Sequence, residues 1–185
     1  MNYFEFYGIP VSFQVDTSTL RRLFLQNSKK YHPDFHTLAE ESEQANMLEL
    51  STQNNEAYKT LSDPDRRIRY VLEIKGLIGE EGNQPPLPQD FLMEMMDINE
   101  GLMELEFDPD PARHARTLQA LEQLENNLLE AVRPVLETWS EADGVQTLEP
   151  VRDYFLKKRY LLRIRENLSK FAAALEKGTN GGELK

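Results

Sequence analysis

Apolar positions recur at helical spacing almost from one end of the 185-residue chain to the other. "YFEFYGIP", Tyr3 to Pro10, is a short apolar segment that Gly8 and Pro10 bring to an end. Asp16 or Thr17 then supplies an N-cap for a helix with Leu20, Leu23, Phe24 and Tyr31 on one stripe. Pro33 stops that helix, because the residue before a proline is driven out of the α region. Thr37 followed by Glu40 has the spacing of a capping box and predicts the start of a third helix there. Met47, Leu50, Asn54, Ala57 and Leu61 give that helix a core-facing stripe. Asp63-Pro64 is a cap followed by a first-turn proline, so a short fourth helix begins there, and Gly76 closes it.

Residues 76–90, "GLIGEEGNQPPLPQD", hold three glycines and three prolines and predict a linker. Three further helical patterns follow. One runs from Pro88 to Phe107. A second starts at Asp110-Pro111 and continues towards Trp139, with Pro134 expected to distort it. Gly144 breaks that pattern, and a last helix spans Leu148 to Leu175. No alternating strand pattern or internal repeat stands out. The expected fold is all-α in two parts: residues 1–75, a linker at 76–90, a three-helix bundle at 91–175 and a flexible tail at 176–185.

Composition narrows the function classes. Twenty-one basic against 32 acidic residues give a formal net charge of -11, which argues against general nucleic-acid binding, since phosphate neutralisation needs clustered cations. The chain has no cysteine, so it holds neither disulfides nor thiolate metal sites. No apolar run approaches the roughly 20 residues that span a bilayer. The N-terminus carries an acid and no basic leader, unlike a signal or transit peptide. A cytoplasmic protein is expected.

Against this acidic background "SKKYHPDFH", Ser28 to His36, stands out. His32 and Asp34 could form a base–orienter pair, but no nucleophile elbow or cysteine accompanies them, and no catalytic residue is assigned. His32 and His36 could ligate a metal, yet further ligands at recognisable spacing are missing, and no metal site is assigned. A docking tip uses more of the residues. From Thr17 to Pro33 there is no acidic side chain. Arg22, Gln26 and Lys29 share a face away from the Leu20–Phe24 stripe, flanked by Arg21 and Lys30. A stripe of one sign, ending in a proline-stiffened turn, suits steering towards an acidic partner. Asp34 at its tip can accept a bidentate arginine.

"YHPD" behind a basic helix, with "NNEAYKTLSDPDRRIRY" at Asn54 to Tyr70, resembles the J-domain of DnaK-type co-chaperones, a helical hairpin with an HPD loop. The resemblance covers residues 1 to about 75. It implies that Tyr31, His32, Pro33 and Asp34, with Arg21, Arg22, Lys29 and Lys30, engage the chaperone and stimulate its ATPase. Phe35 follows the triplet where many J-domains carry a basic residue. Arg66, Arg67 and Arg69 are expected to add charge nearby.

In the second half, Phe91, Met95, Ile98, Leu102 and Leu105 step by 4, 3, 4 and 3 and face a bundle core. Leu92, Met93, Met96 and Met103 fall outside that stripe. Either the helix buries a wider face, or these residues form an adaptable exposed patch bordered by Asp97, Glu100 and Glu104. "FLMEMMDINEGL" after a proline-bearing linker and "KKRYLLRIRENL" near the end are similar to the HscB family, co-chaperones of iron–sulfur cluster assembly. The resemblance implies that the bundle binds the scaffold protein IscU and presents it to the chaperone HscA. It maps scaffold binding onto Leu92, Met93, Met96, Asp97, Glu100, Glu104 and Tyr160, with Phe155 a nearby aromatic. Under it the chain needs no cofactor and is not an enzyme. A J-protein whose bundle serves an unrelated client is the alternative.

Overall fold

The computed structural model describes residues 1–79 and 86–180, with side chains described as far as residue 173. Its regular elements are all helical among the described residues: α1 (Tyr3–Tyr7), α2 (Thr17–Lys30), α3 (Glu41–Ser62), α4 (Pro64–Ile74), α5 (Gln89–Glu94), α6 (Met96–Phe107), α7 (Pro111–Thr138) and α8 (Glu149–Asn180). Short 3₁₀ turns lie at Pro33–Phe35, Glu141–Asp143 and Gln146–Leu148. The chain divides into two compact units. Met1–Gly79 with Leu136–Leu148 forms unit 1, and Glu80–Val135 with Glu149–Lys185 forms unit 2.

Unit 1 is a hairpin of α2 and α3 closed by α1 and α4. Asp16 caps α2: its carboxylate accepts the main-chain N–H of Ser18 and of Thr19 at 3.2 and 3.1 Å. Hydrogen bonding from the Thr19 and Ser18 side chains, with these main-chain bonds, holds its pKa down at about 2. Asn54 locks the hairpin. Its amide Nδ2 donates to the Phe24 carbonyl (3.1 Å) and to Ser28 Oγ (3.0 Å) on α2, while its Oδ1 accepts the Tyr7 hydroxyl of α1 at 2.9 Å. A buried amide satisfied on both sides fixes the register of three helices at one point. Stacking of Phe24 on Tyr58, 4.3 Å between centroids, seals the next turn.

The third helix begins later than its capping-box signature predicts. Glu40 is its N-cap and makes no side-chain cap bond. Thr37 remains in the incoming loop, where Gln44 Nε2 donates to the carbonyls of Thr37 (3.3 Å) and Ala39 (2.8 Å). A side chain from inside the helix thus satisfies the loop in place of the expected cap. Asp63 and Pro64 start α4 as predicted, Asp63 accepting from the N–H groups of Asp65 and Arg66 at 2.9 Å.

Arg67 is not a surface charge. It is buried, its Nε donating to the Phe13 carbonyl at 2.8 Å and its Nη1 to the Leu61 carbonyl. Burial lowers its pKa from the usual guanidinium value, with Asp63 opposing. Arg69 pairs with Glu73 at 2.7 Å, one turn away. Of the three arginines expected to add charge, only Arg66 is fully exposed. The reason is packing: the carbonyls of two chain turns need a buried donor, and Arg67 supplies it.

The segment Leu136–Leu148, assigned from sequence to the bundle, belongs to unit 1. Trp139 is buried against Phe13, 5.5 Å between centroids, and its indole N–H reaches the Thr147 hydroxyl at 3.1 Å. Lys75 lies 5.9 Å from the Trp139 ring and forms an ion pair with Glu141.

Unit 2 packs α5, α6, α7 and α8 around Phe91, Met95, Ile98, Leu105, Leu121 and Leu161. The helix predicted from Pro88 to Phe107 is interrupted at Met95, where ψ is -7° and the peptide tips out of the helical run. Gly101 brings α6 close to α7: a β-carbon there would lie 2.3 Å from Thr117 Oγ1. Helix α7 runs through Pro134 to Thr138, although the proline forfeits the bond to the carbonyl four residues back. His114 on α7 lies 2.8 Å from the Leu168 carbonyl of α8, and Arg165 on α8 pairs with Glu125 and Glu122 on α7. Helix α8 continues to Asn180, five residues into the segment read as a tail. Residues 181–185 of that tail, and residues 80–85 of the predicted linker, lie outside the described residues.

Candidate functional site

Two surfaces carry the chemistry picked out in the sequence. On unit 1, α2 ends at Lys30, and the chain turns through Tyr31 and His32 into the 3₁₀ turn of Pro33–Phe35. The turn is locally built. His32 Nδ1 accepts the Asp34 N–H at 3.2 Å, and His36 Nε2 lies 2.9 Å from the Lys30 carbonyl. With Nδ1 turned to this N–H, Nε2 is the ring nitrogen left to face a partner. The His32 side chain is 51% exposed and that of Asp34 83%, with the two 3.7 Å apart. Pro33 fixes the backbone between them, so both side chains stand outside the helix that precedes them.

Arg21, Arg22, Lys29 and Lys30 are all exposed and form no ion pair among the described residues. Lys30 Nζ lies 5.2 Å from the Tyr31 ring, which is half-buried against Phe6 at 6.3 Å. Tyr31 therefore supports the tip from beneath as well as bordering it. Leu25, exposed among these cations, went unremarked in the sequence because it lies off the core stripe. Phe35 is exposed and meets His32 edge-on at 5.7 Å.

On unit 2 the two interpretations of α5 and α6 separate cleanly. Phe91, Met95, Ile98 and Leu105 are buried, whereas Leu92, Met93, Met96 and Met103 are exposed, Met93 at 69% and Met96 at 67%. The break at Met95 keeps both buried anchors in the core while the side chains beside them face outward. Asp97 and Glu100 are exposed and make no ion pair among the described residues. Glu104 is already engaged, since Arg113 Nε lies 2.9 Å from its carboxylate and Arg113 Nη1 3.4 Å from Asp108. Tyr160 is half-buried and packs edge-on against Phe91 at 5.9 Å, so it is tied to the core as much as to the surface. Phe155 is half-buried too, beneath the Arg159 guanidinium at 5.8 Å.

The molecule can therefore offer a cationic prong and an apolar, acid-edged helix face. Among the described residues no cluster of three or more His, Asp or Glu is placed to hold a metal, and no helix is long and apolar enough to cross a membrane.

Known proteins resemble the chain over most of its length. A family model, the HSCB C-terminal oligomerisation domain, matches residues 87–169. A co-chaperone protein HscB homolog of Chromobacterium violaceum is 32% identical over 141 residues, 76% of this chain and 75% of the relative. The chain belongs to the HscB family of co-chaperones. A Shewanella halifaxensis HscB homolog is 28% identical over 95% of this chain and 99% of its own length. The crystal structure of human co-chaperone protein HscB superposes with a TM-score of 0.66 at 28% identity, covering 91% of this chain and 81% of the human one. The all-α reading, with an N-terminal J-domain and a C-terminal helical domain, stands.

Within an HscB fold, three supporting residues were not recognised from sequence. Nothing in its spacing marked Gly101 as a close-approach site. Trp139 fell at the end of a helical pattern, with nothing in its spacing to mark a contact with Phe13. Arg67 sat in a basic run, and only its apolar neighbour Ile68 hinted at burial.

Proposed function

We propose that this HscB-family chain holds an IscU-like iron–sulfur scaffold protein on unit 2 and delivers it to an HscA-like, DnaK-type chaperone in the cytoplasm. There the HPD turn stimulates the chaperone's ATPase and assists cluster transfer. The observation that carries the reading is the turn itself: His32 and Asp34 project from a proline-fixed corner at the end of an uncompensated cationic helix. Exposed cations accelerate encounter with an acidic chaperone surface. The corner supplies directional contacts, an imidazole Nε2 and a carboxylate acceptor for an arginine. Leu92, Met93 and Met96 supply adaptable apolar contact for the scaffold, with Asp97 and Glu100 at the rim. Carrying both sites on one chain raises the local concentration of client at the chaperone. ATP belongs to the chaperone and the cluster to the scaffold; this chain acts by binding.

The test is a steady-state ATPase assay with an HscA-like chaperone, with and without scaffold. Wild type stimulates hydrolysis, and scaffold adds to the effect. His32→Gln abolishes stimulation while its circular dichroism and scaffold binding match wild type. Unchanged stimulation by His32→Gln refutes the role of the turn. Failure of wild type to bind scaffold while still activating the chaperone would favour a different client.

A further inference from the structure

Oxidisable sulfur is concentrated on the client face. The chain has six methionines and no cysteine, so methionine carries all of its sulfur. Burial divides these side chains. Met93, Met96 and Met103 are 69%, 67% and 61% exposed, whereas Met95, set between the first two, is buried in the core of unit 2. The break between α5 and α6 falls at Met95 and keeps that thioether inside while its neighbours face outward. Met1 is exposed at the N-terminus and Met47 is half-buried on α3, both in unit 1.

Exposure decides which of them can react. Oxidation to the sulfoxide needs only that a sulfur lone pair meet the O–O bond of a peroxide, with no base and no lowered pKa. Hydrogen peroxide is small and uncharged at neutral pH, so the Asp97 and Glu100 carboxylates between Met96 and Met103 do not repel it.

We propose that Met93, Met96 and Met103 form a redox modification site through which a peroxide weakens client binding. The inference rests on the client reading above and adds its regulation. At each sulfur, the lone pair attacks one peroxide oxygen. The S–O bond forms as the O–O bond breaks, and the second oxygen departs as hydroxide and takes the proton of the first to become water. Sulfur is oxidised, peroxide is reduced, and no further reactant is consumed. An apolar, adaptable thioether becomes a polar sulfoxide. Pressed against an apolar client surface, the new oxygen loses its water and finds no donor. Glu94, Asp97 and Glu100, the charged residues between Met93 and Met103, accept hydrogen bonds and cannot donate them. The turn from Tyr31 to Phe35 holds no sulfur, so the reaction alters the client face and leaves that turn chemically intact.

In the experiment the full chain is treated with hydrogen peroxide, freed of it, and divided between peptide mass mapping and calorimetric titration with an untreated IscU-like scaffold. Mapping should find an added oxygen on Met93, Met96 and Met103 while Met95 remains a thioether. Scaffold affinity should fall about tenfold or more, with circular dichroism unchanged, and return after treatment with methionine sulfoxide reductases. Met93→Leu/Met96→Leu/Met103→Leu cannot be oxidised at these positions, so its affinity, whatever its starting value, should be the same before and after peroxide. Oxidation of Met95 as fast as Met93 and Met96 would overturn the modification site. Full oxidation of the exposed methionines with scaffold affinity unchanged, or an equal loss in the leucine variant, leaves the client reading standing and overturns the regulation. If the untreated chain does not bind the scaffold, the client reading fails and the regulation falls with it, whereas the mapping still decides the modification site.

Discussion

Gly101→Ala tests how closely unit 2 is packed beneath its exposed surface. A β-carbon at position 101 would lie 2.3 Å from Thr117 Oγ1, 3.1 Å from its Cγ2 and 3.3 Å from its Cβ. Thr117 is buried, and its hydroxyl donates to the Arg113 carbonyl at 3.1 Å. Turning the threonine would carry the hydroxyl off that carbonyl or bring the methyl into the same space, and a β-branched side chain has few rotamers in a helix. Helix α6 must therefore back away from α7. Overpacking of this kind costs about 1–3 kcal/mol. Replacing a mid-helix glycine by alanine offsets about 1 kcal/mol through helix propensity. The net expectation is destabilisation of unit 2 by about 1–2 kcal/mol, the upper part of the difference. Urea unfolding followed by circular dichroism should show an earlier transition, and Trp139 fluorescence, which reports on unit 1, should not move. Adding Thr117→Ala should recover most of the loss. A Gly101→Ala chain as stable as wild type, or more so, would mean that propensity outweighs the contact and that the close approach is not limiting.

Further expectations concern unit 1. Asn54→Ala removes the amide's bonds to the Phe24 carbonyl, Ser28 Oγ and the Tyr7 hydroxyl, although Tyr7 keeps the main-chain carbonyl of residue 54 and the Phe24 carbonyl keeps the Ser28 hydroxyl. Urea unfolding read by Trp139 fluorescence should show a loss of about 1–3 kcal/mol; no measurable loss would mean that water replaces the amide. The Asp16 carboxyl is held at about 2, below its ordinary value, so its contribution is complete above about pH 4 and disappears as pH falls through about 2. Asp16→Asn keeps an N-cap acceptor but cannot titrate, so its urea midpoint should converge on that of wild type between those values, and a constant gap would refute the assignment.

Much of the fold was legible because helices announce themselves through periodicity and punctuation. Asp16, Asp63-Pro64 and Asp110-Pro111 mark helix starts, and Gly8, Gly76 and Gly144 mark ends where the backbone takes a positive φ. The outward and inward faces of α5 and α6 could be assigned to residues, but spacing alone could not say whether Leu92, Met93 and Met96 were covered. What stayed hidden depends on contacts between distant turns. The Thr37–Glu40 signature lost to Gln44, whose side chain reaches back to the Thr37 and Ala39 carbonyls. Arg67 reads as a surface cation until the carbonyls of Phe13 and Leu61 are seen to need a donor. Glu104 reads as a free rim acid until Arg113 is placed beside it.

The hidden contact with the widest consequence is that of Trp139, because it helps make residues 136–148, the end of α7 and the turns after it, part of unit 1. Trp139 is 6% exposed, lies tilted against Phe13 and donates to Thr147, while Gln14 Nε2 reaches the Leu136 carbonyl at 3.2 Å. Removing a buried tryptophan costs about 3–5 kcal/mol, a large fraction of what holds a small domain together. Trp139→Ala should therefore loosen unit 1, read as faster hydrogen exchange at Leu20, Leu61 and Val71, while exchange at Leu121 and Leu161 in unit 2 is unchanged. Phe13 would lose its cover in the same step, so Phe13→Ala/Trp139→Ala should cost less than the sum of the single changes. If Trp139→Ala speeds exchange only in unit 2, the segment belongs to the bundle after all, and the sequence division at residue 75 is the correct one.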